Sequence, residues 1–547
     1  PYRRRGREGS TNRPGEWFRI ERLVIRPGYP ILEPRVIGTI KKSGFRQKLG
    51  FGLAVVALIV FLVLPKPEGL SPDGWWTFAV GSIMASLWMT EALPIAVTAL
   101  LPLVLFPLLK IEAFSQVAVN YAHSNIFLYM GGFFIAAAMQ KWGFHRRIAL
   151  RLLLVIGSSP RRIVLGFMVA TAFLSMWVSN TATTLMIYPI GLAVIVAVME
   201  SDASGVPDER NRAFRTALML AIAYSASIGG IATLIGTPPN LVFAGAVARL
   251  YPKAPPISFM NWFLVGMVLT GLLLPIAWVV LTRVTFKVDD RPVAGGHRAI
   301  QEASRKLGAM GRGEKMVAVV FSLTALAWVT RGDLVLGGMT VQGWASRLGL
   351  TETVNDATVA MLAACLLFIL PVNWNEGTFV LDWPSAERIP WGILLVFGGG
   401  IALADVFKSS GLSGWFGSQL AMFATVPLPV LILLTCLTLT FLTELTSNVA
   451  TATIFMPIVA SIATVAGVHP YLLMIPATIS ASCAFMLPVA TPPNAIIFAS
   501  GHVTIPDMVK TGLILNLVGI VLVALVGYFV VVPVFGISLN SLPAWVE

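Results

Sequence analysis

The sequence predicts an all-α polytopic membrane protein built on an inverted repeat. Each half carries a re-entrant hairpin and a broken helix, within about 11 transmembrane segments in all. Three observations carry this. The 547 residues are 56% hydrophobic and only 12% charged, with a mean hydropathy of +0.81, whereas a soluble chain carries about 25% charge. Four apolar runs are too long for one crossing and are interrupted by polar or proline clusters. The order of these interruptions occurs twice, with flanks of opposite character.

The elements follow in order. Residues 1–48 form a basic arm that holds 13 of the 39 Lys and Arg, including Arg3, Arg4, Arg5, Arg46 and Lys48. Under the positive-inside rule it reads as cytoplasmic. No nucleic-acid-binding motif accompanies the charge, and no small-residue cleavage site follows the first apolar run. Residues 49–121 hold three spans, Phe51–Leu64, Trp75–Glu91 and about Ile95 to Leu109. Residues 122–250 hold the first repeat. It opens with a span at Ile126–Gln140 carrying Gly131-Gly132 and ending in a basic cluster at Lys141, His145, Arg146, Arg147 and Arg151.

The run Ile163–Val198 exceeds the roughly 20 residues of one crossing and is interrupted at Ser179-Asn180-Thr181. Basic residues flank both ends, Arg161 and Arg162 before, Arg210, Arg212 and Arg215 after. It reads as a hairpin entering from and returning to the cytoplasm. Ala217–Ala248 is broken at Gly236-Thr237-Pro238-Pro239, because proline lacks a donor and clashes with the preceding turn.

Residues 251–389 supply further spans at Phe259–Leu281, Met316–Val329 and Val359–Leu370, with a basic loop from Arg283 to Lys315. Residues 390–512 repeat the earlier order. A glycine-rich span at Trp391–Val406 is followed by a hairpin at Val430–Ala463 interrupted at Ser447-Asn448. A helix at Leu472–Ser500 is then broken at Thr491-Pro492-Pro493. The second hairpin's flanks are almost free of Lys and Arg, as for one entering from outside. Residues 513–547 are the last span and an external tail.

The spacing fixes the correspondence. Gly131 and Gly398 lie 267 positions apart, Asn180 and Asn448 268, and Thr237 and Thr491 254. Inverted repeats with broken helices mark secondary transporters, whose substrate and ion sites lie at the breaks near the midplane.

A break in a membrane helix exposes donors at one new end and carbonyls at the other. The first suits a carboxylate and the second a small hard cation. Ser175, Ser179 and Asn180, with carbonyls near Gly236, form one candidate oxygen set for sodium. Thr443, Thr446 and Asn448, with carbonyls near Ala490, form the other. No Lys or Arg lies at the breaks, so a dianion there depends on hydroxyls, amides, helix ends and co-bound cations. A single Ser or Asn in a membrane helix is more often interhelical glue than a ligand; two matched clusters at breaks are not. Glu91, Asp405 and Glu444 read as structural or interfacial, and Cys365, Cys436 and Cys483 as packing residues.

These residues resemble the divalent anion:sodium symporter family of di- and tricarboxylate and sulfate carriers. The match rests on Ser179-Asn180-Thr181, Ser447-Asn448-Val449, Gly236-Thr237-Pro238-Pro239-Asn240 and Ala490-Thr491-Pro492-Pro493-Asn494. Thr90–Pro94, Lys141–Arg147 and Ser482–Ile497 also fit the family's pattern, over about residues 50 to 535.

The resemblance implies an elevator-type homodimer with scaffold and transport domains, here in a bacterial inner membrane, and the absence of Lys and Arg after the last span puts the C-terminus outside. It implies a first sodium site at Ser175, Ser179, Asn180 and Gly236. A second uses Thr443, Thr446, Asn448 and Ala490. It places substrate against Asn180, Thr181, Thr237, Ser447, Asn448 and Thr491, with Pro238, Pro492 and Val449 alongside. Val449 departs from the threonine common in dicarboxylate carriers, which removes one hydroxyl. The expected activity is sodium-coupled import of a C4 dicarboxylate such as succinate, malate or fumarate. A sodium-independent exchanger and a sulfate or tricarboxylate carrier are the alternatives. A channel would need a continuous pore, and an enzyme a nucleophile–base pair or metal set.

Overall fold

Helix boundaries in this chain are set by capping hydroxyls, prolines and glycines, because apolar composition alone would let the helices run on. The computed structural model describes residues 44–156, 159–201, 208–290, 294–336, 339–419, 425–539 and 541–546. Most of the basic arm, residues 1–43, lies outside the described residues.

Helix α1 (Gly44–Val63) is apolar around its circumference and largely exposed, as a lipid-facing helix is. It packs on α2 (Pro72–Thr90). The α2 start is capped by Ser71, whose hydroxyl accepts the Gly74 N–H at 2.8 Å, and its end turns at Glu91 in the left-handed region, φ 49°. The third expected span is two short helices, Ile95–Thr98 and Leu101–Leu108. Helix α3 (Ser124–Lys141) crosses α12 (Asp356–Ile369) closely. A Cβ on Gly131 would come within 2.7 Å of the Ala360 backbone, so glycine sets the interaxial distance there.

The basic cluster after α3 is itself helical, α4 (Phe144–Ile156). Then come α5 (Pro160–Ser175) and α6 (Asn180–Ser201), joined by the short link 176–179, and α7 (Asp208–Ile231) and α8 (Pro238–Leu250). The first broken helix thus interrupts over 232–237. Helix α9 (Phe259–Val279) ends in a wide π turn, Val280–Thr285.

The Arg283–Lys315 stretch, expected as a loop, contains α10 (Ala294–Lys306), a strongly amphipathic helix packed on α4 and α6. Helix α11 (Arg312–Arg331) precedes a small hairpin of Leu334–Leu336 on Met339–Val341, and a second hairpin pairs Pro371–Asn373 with Thr378–Phe379. The second half continues with α13 (Trp391–Ser409), α14 (Leu412–Gln419), α15 (Leu428–Thr443), α16 (Asn448–Val465), α17 (Tyr471–Ser480), α18 (Pro492–Ala499) and α19 (Ile505–Phe529). The second break is longer than Thr491-Pro492-Pro493. The chain leaves helix after Ser480 and re-enters at Pro492.

Among the described residues, nine helices are long and apolar enough to cross a membrane, and four shorter apolar helices accompany them. The protein is a polytopic all-α membrane protein. The pairing of elements has a pattern. The first arms pack within each half, α5 on α7 and α15 on α17. The second arms cross over, α6 on α18 and α8 on α16. One large core cluster runs through all eight of these elements, and a smaller one joins α2, the two short helices and one face of α13.

Candidate functional site

Each Ser-Asn pair lies where a helix begins. Ser179 accepts the Ala182 N–H at 3.4 Å and Ser447 that of Ala450 at 3.2 Å. Serine is thus the cap, and Asn180 and Asn448 are the first residues of α6 and α16. The prolines of the Thr-Pro-Pro motifs occupy the first positions of α8 and α18, where a missing donor costs nothing.

At the first break, Ser175 is fully buried and donates to the Ala226 carbonyl at 2.7 Å. Its Oγ, Ala226 O and Gly236 O all face one end of the Asn180 amide. With nitrogen there, Asn180 donates to them at 2.7, 3.1 and 3.3 Å. With oxygen there, the Ser175 hydroxyl has a single proton to share between Asn180 Oδ1 and the Ala226 carbonyl, and the four oxygens form a set that a small hard cation can occupy. The residues present therefore fit a small hard cation. Two glycines are required. A Cβ on Gly230 would collide with the Asn180 amide, and one on Gly236 with the Gly230 carbonyl. Asn240 secures the broken stretch, its Nδ2 donating to Gly230 O at 3.2 Å and Thr233 O at 2.8 Å.

The second break repeats these bonds. Thr443 Oγ1 is 2.8 Å from Asn448 Oδ1 and 2.8 Å from the Ala481 carbonyl. Asn494 Nδ2 donates to Ala484 O at 3.1 Å and Leu487 O at 3.0 Å. The Ala490 N–H donates to Leu487 O at 3.2 Å, as Gly236 N–H does to Thr233 O at 3.2 Å. The matched hairpin residues are 268 positions apart and the matched break residues 254 or 255.

Thr446 bonds within its own hairpin, to Leu442 O at 3.0 Å and Thr451 Oγ1 at 2.5 Å, apart from the Thr443–Asn448–Ala481 group. Thr181, Ser447 and Val449 are half-buried beside the asparagines. Thr237 and Thr491 are buried at the starts of α8 and α18, and Thr491 Oγ1 caps the Asn494 N–H at 3.3 Å. Pro238 is half-buried and Pro492 exposed.

Several contributors had no individual signal in the sequence. The Ala226 and Ala481 carbonyls come from apolar runs, and only the repeat spacing could have paired them. Tyr129 on α3 donates to Thr237 O at 2.6 Å and also lies 2.8 Å from Leu234 O. Glu444, read as structural, accepts the N–H groups of Phe485, Met486 and Leu487 at 2.7, 2.9 and 3.0 Å and Asn516 Nδ2 at 2.7 Å. Among the described residues, no group of three or more His, Cys, Asp or Glu is arranged to hold a metal.

The family described as the sodium:sulfate symporter transmembrane region matches residues 47–537. A Staphylococcus saprophyticus protein named sodium-dependent dicarboxylate transporter SdcS is 41% identical over 502 residues, 92% of this chain and 94% of that one. The Staphylococcus aureus protein of the same name (strain NCTC 8325) is 42% identical over 504 residues, 92% of this chain and 95% of its own. Among solved structures, Neisseria gonorrhoeae MtrF shares the fold at TM-score 0.53 and 14% identity, over 90% of this chain and 96% of MtrF. Alcanivorax borkumensis YdaH does so at 0.50 and 13%, over 89% and 98%. The capped Ser-Asn starts, the Thr-Pro-Pro breaks and a match running nearly end to end assign this chain to the divalent anion:sodium symporter family.

Proposed function

We propose that this protein imports a four-carbon dicarboxylate across the membrane together with sodium. The observation that carries the reading is the pair of matched oxygen clusters, Ser175–Asn180–Ala226–Gly236 and Thr443–Asn448–Ala481, each at a helix break. The two staphylococcal relatives named for sodium-dependent dicarboxylate transport support the substrate class. Sodium at the two clusters neutralises a dianion that no Lys or Arg at the breaks can meet.

In this reading α5–α6 and α15–α16 are re-entrant hairpins of opposite topology, and their tips receive the substrate at Asn180, Thr181, Ser447, Asn448 and Val449. Thr237 and Thr491, with Pro238 and Pro492, close the site from the broken helices. Gly236, Ser179, Thr446 and Ala490 complete the sodium shells. The hairpins and broken helices move as one body against a scaffold, in an elevator mechanism within a homodimer. Charge placement supports a cytoplasmic N-terminus and an external C-terminus.

Succinate uptake into proteoliposomes tests this. An inward sodium gradient should drive uptake that potassium or choline does not. Sodium-independent uptake confined to vesicles preloaded with dicarboxylate would replace symport with exchange. No uptake of either kind, together with uptake of sulfate or citrate, would move the substrate assignment, for which the missing hydroxyl at Val449 is the reason.

A further inference from the structure

The two breaks share their cluster bonds and their asparagine bonds, and they differ in how the hairpin is tied to the break. The residue after the cluster hydroxyl is Met176 in the first hairpin and Glu444 in the second. In the first, the Met176 carbonyl accepts the Thr233 hydroxyl at 2.5 Å. In the second, the Glu444 carboxylate accepts the Leu487 N–H at 3.0 Å. Thr233 and Leu487 are matched positions, so both halves tie the hairpin to the same point of the break. Only the second does so with a charge.

That charge is 3% exposed and takes four donors, three consecutive main-chain N–H groups and the Asn516 amide. Successive N–H groups of a non-helical turn form an anion-binding concavity, here filled by the chain's own carboxylate. The turn so held leads straight into the cluster. The Leu487 carbonyl accepts from both Ala490 N–H and Asn494 Nδ2, and Glu444 follows Thr443 directly. No Lys or Arg bonds to Glu444 among its described partners.

We propose that Glu444 is a positioning residue for the second cation cluster. It fixes the 485–487 turn and adds a buried negative charge there, making the second cluster the tighter of the two sodium sites. The inference rests on the sodium-coupling reading above. Within several ångströms of a monovalent cation in a low-dielectric site, a carboxylate changes affinity by roughly tenfold or more.

The test uses the purified full chain in detergent, reading thermal stabilisation against sodium concentration at constant ionic strength with potassium as replacement. Glu444→Gln should raise the sodium midpoint by roughly tenfold, while Glu444→Asp, which keeps the charge on a shorter arm, should fall between it and wild type. In proteoliposomes the same Gln variant should keep its substrate KM at saturating sodium, and its half-activating sodium concentration should rise.

A sodium midpoint unchanged in Glu444→Gln overturns the inference alone. Wild-type protein that sodium does not stabilise overturns the coupling reading and this inference with it. Should the Gln variant fail to fold, the Asp variant decides. A midpoint raised about threefold supports the role, and one equal to wild type overturns it.

Discussion

Tyr129 reaches across from α3 to donate its hydroxyl to the Thr237 carbonyl at 2.6 Å, at the residue that opens α8. Its ring stands edge-on to Phe397 of α13, with centroids 5.1 Å apart. The glycine-rich helices of both halves thus meet at a side chain that steadies one break. Tyr129→Phe keeps the ring and removes the donor from a buried carbonyl, a loss of about 1–3 kcal/mol. The expected outcome is a lower melting temperature in detergent and sodium-driven uptake reduced about fivefold or more. Wild-type behaviour in both assays would remove Tyr129 from the site's support.

Asn180→Ala and Asn448→Ala each delete the amide on which a cluster converges. Both should abolish sodium-driven succinate uptake while the size-exclusion profile stays that of wild type. Uptake at wild-type rate in both variants would refute the assignment of the two clusters.

Gly236→Ala tests the close packing of the first break. Its Cβ would collide with the Gly230 carbonyl, main chain that cannot rotate away. The matched residue, Ala490, already carries a Cβ, so Ala490→Gly should be mild by comparison. Uptake should fall at least tenfold in the first variant and about twofold in the second. Equal effects would mean the two breaks do not differ in room.

Val449→Thr restores the hydroxyl that the matched Thr181 has. One added hydrogen bond of about 1 kcal/mol lowers the succinate KM roughly fivefold. A KM that is unchanged for succinate but altered for sulfate would point to the other anion class.

Away from the site, Arg147 on α4 and Glu314 on α11 form a buried pair, Nε to Oε1 at 2.5 Å and the second nitrogen to Oε2 at 2.9 Å. Arg147→Met leaves Glu314, 6% exposed, without its charge partner. The expected loss is roughly 3–5 kcal/mol of stability, read as a falling melting temperature and poor yield with the sodium midpoint unmoved in protein that survives.

How far the sequence alone reached can be judged residue by residue. Ser179-Asn180 and Ser447-Asn448 announced interruptions of their apolar runs, because each run is too long for one crossing and polar residues at membrane depth are costly without a break. Thr237 and Thr491 announced helix starts through the prolines after them. The early end of α17 at Ser480 was not legible. It depends on Glu444, 36 positions before it, offering acceptors to main-chain donors at 485–487. Helix α10 was hidden by its charge, since a basic amphipathic helix and a basic loop look alike in composition. The cluster carbonyls at Ala226 and Ala481 were silent because a backbone oxygen leaves no mark on residue identity.

The crossing of second arms, α6 with α18 and α8 with α16, bears on how the protein is made. Synthesis runs at about 5–20 residues per second, so α8 is complete roughly 10–40 s before α16 exists. During that interval α8 lacks α16, the helix it packs against in the finished fold. The first half must therefore wait in the bilayer with its own side chains holding the break, Asn240 on Gly230 and Thr233 and Tyr129 on Thr237, while the faces of α6 and α8 stay unfilled. The arrival of residues 448–499 supplies both missing partners at once, α16 for α8 and α18 for α6.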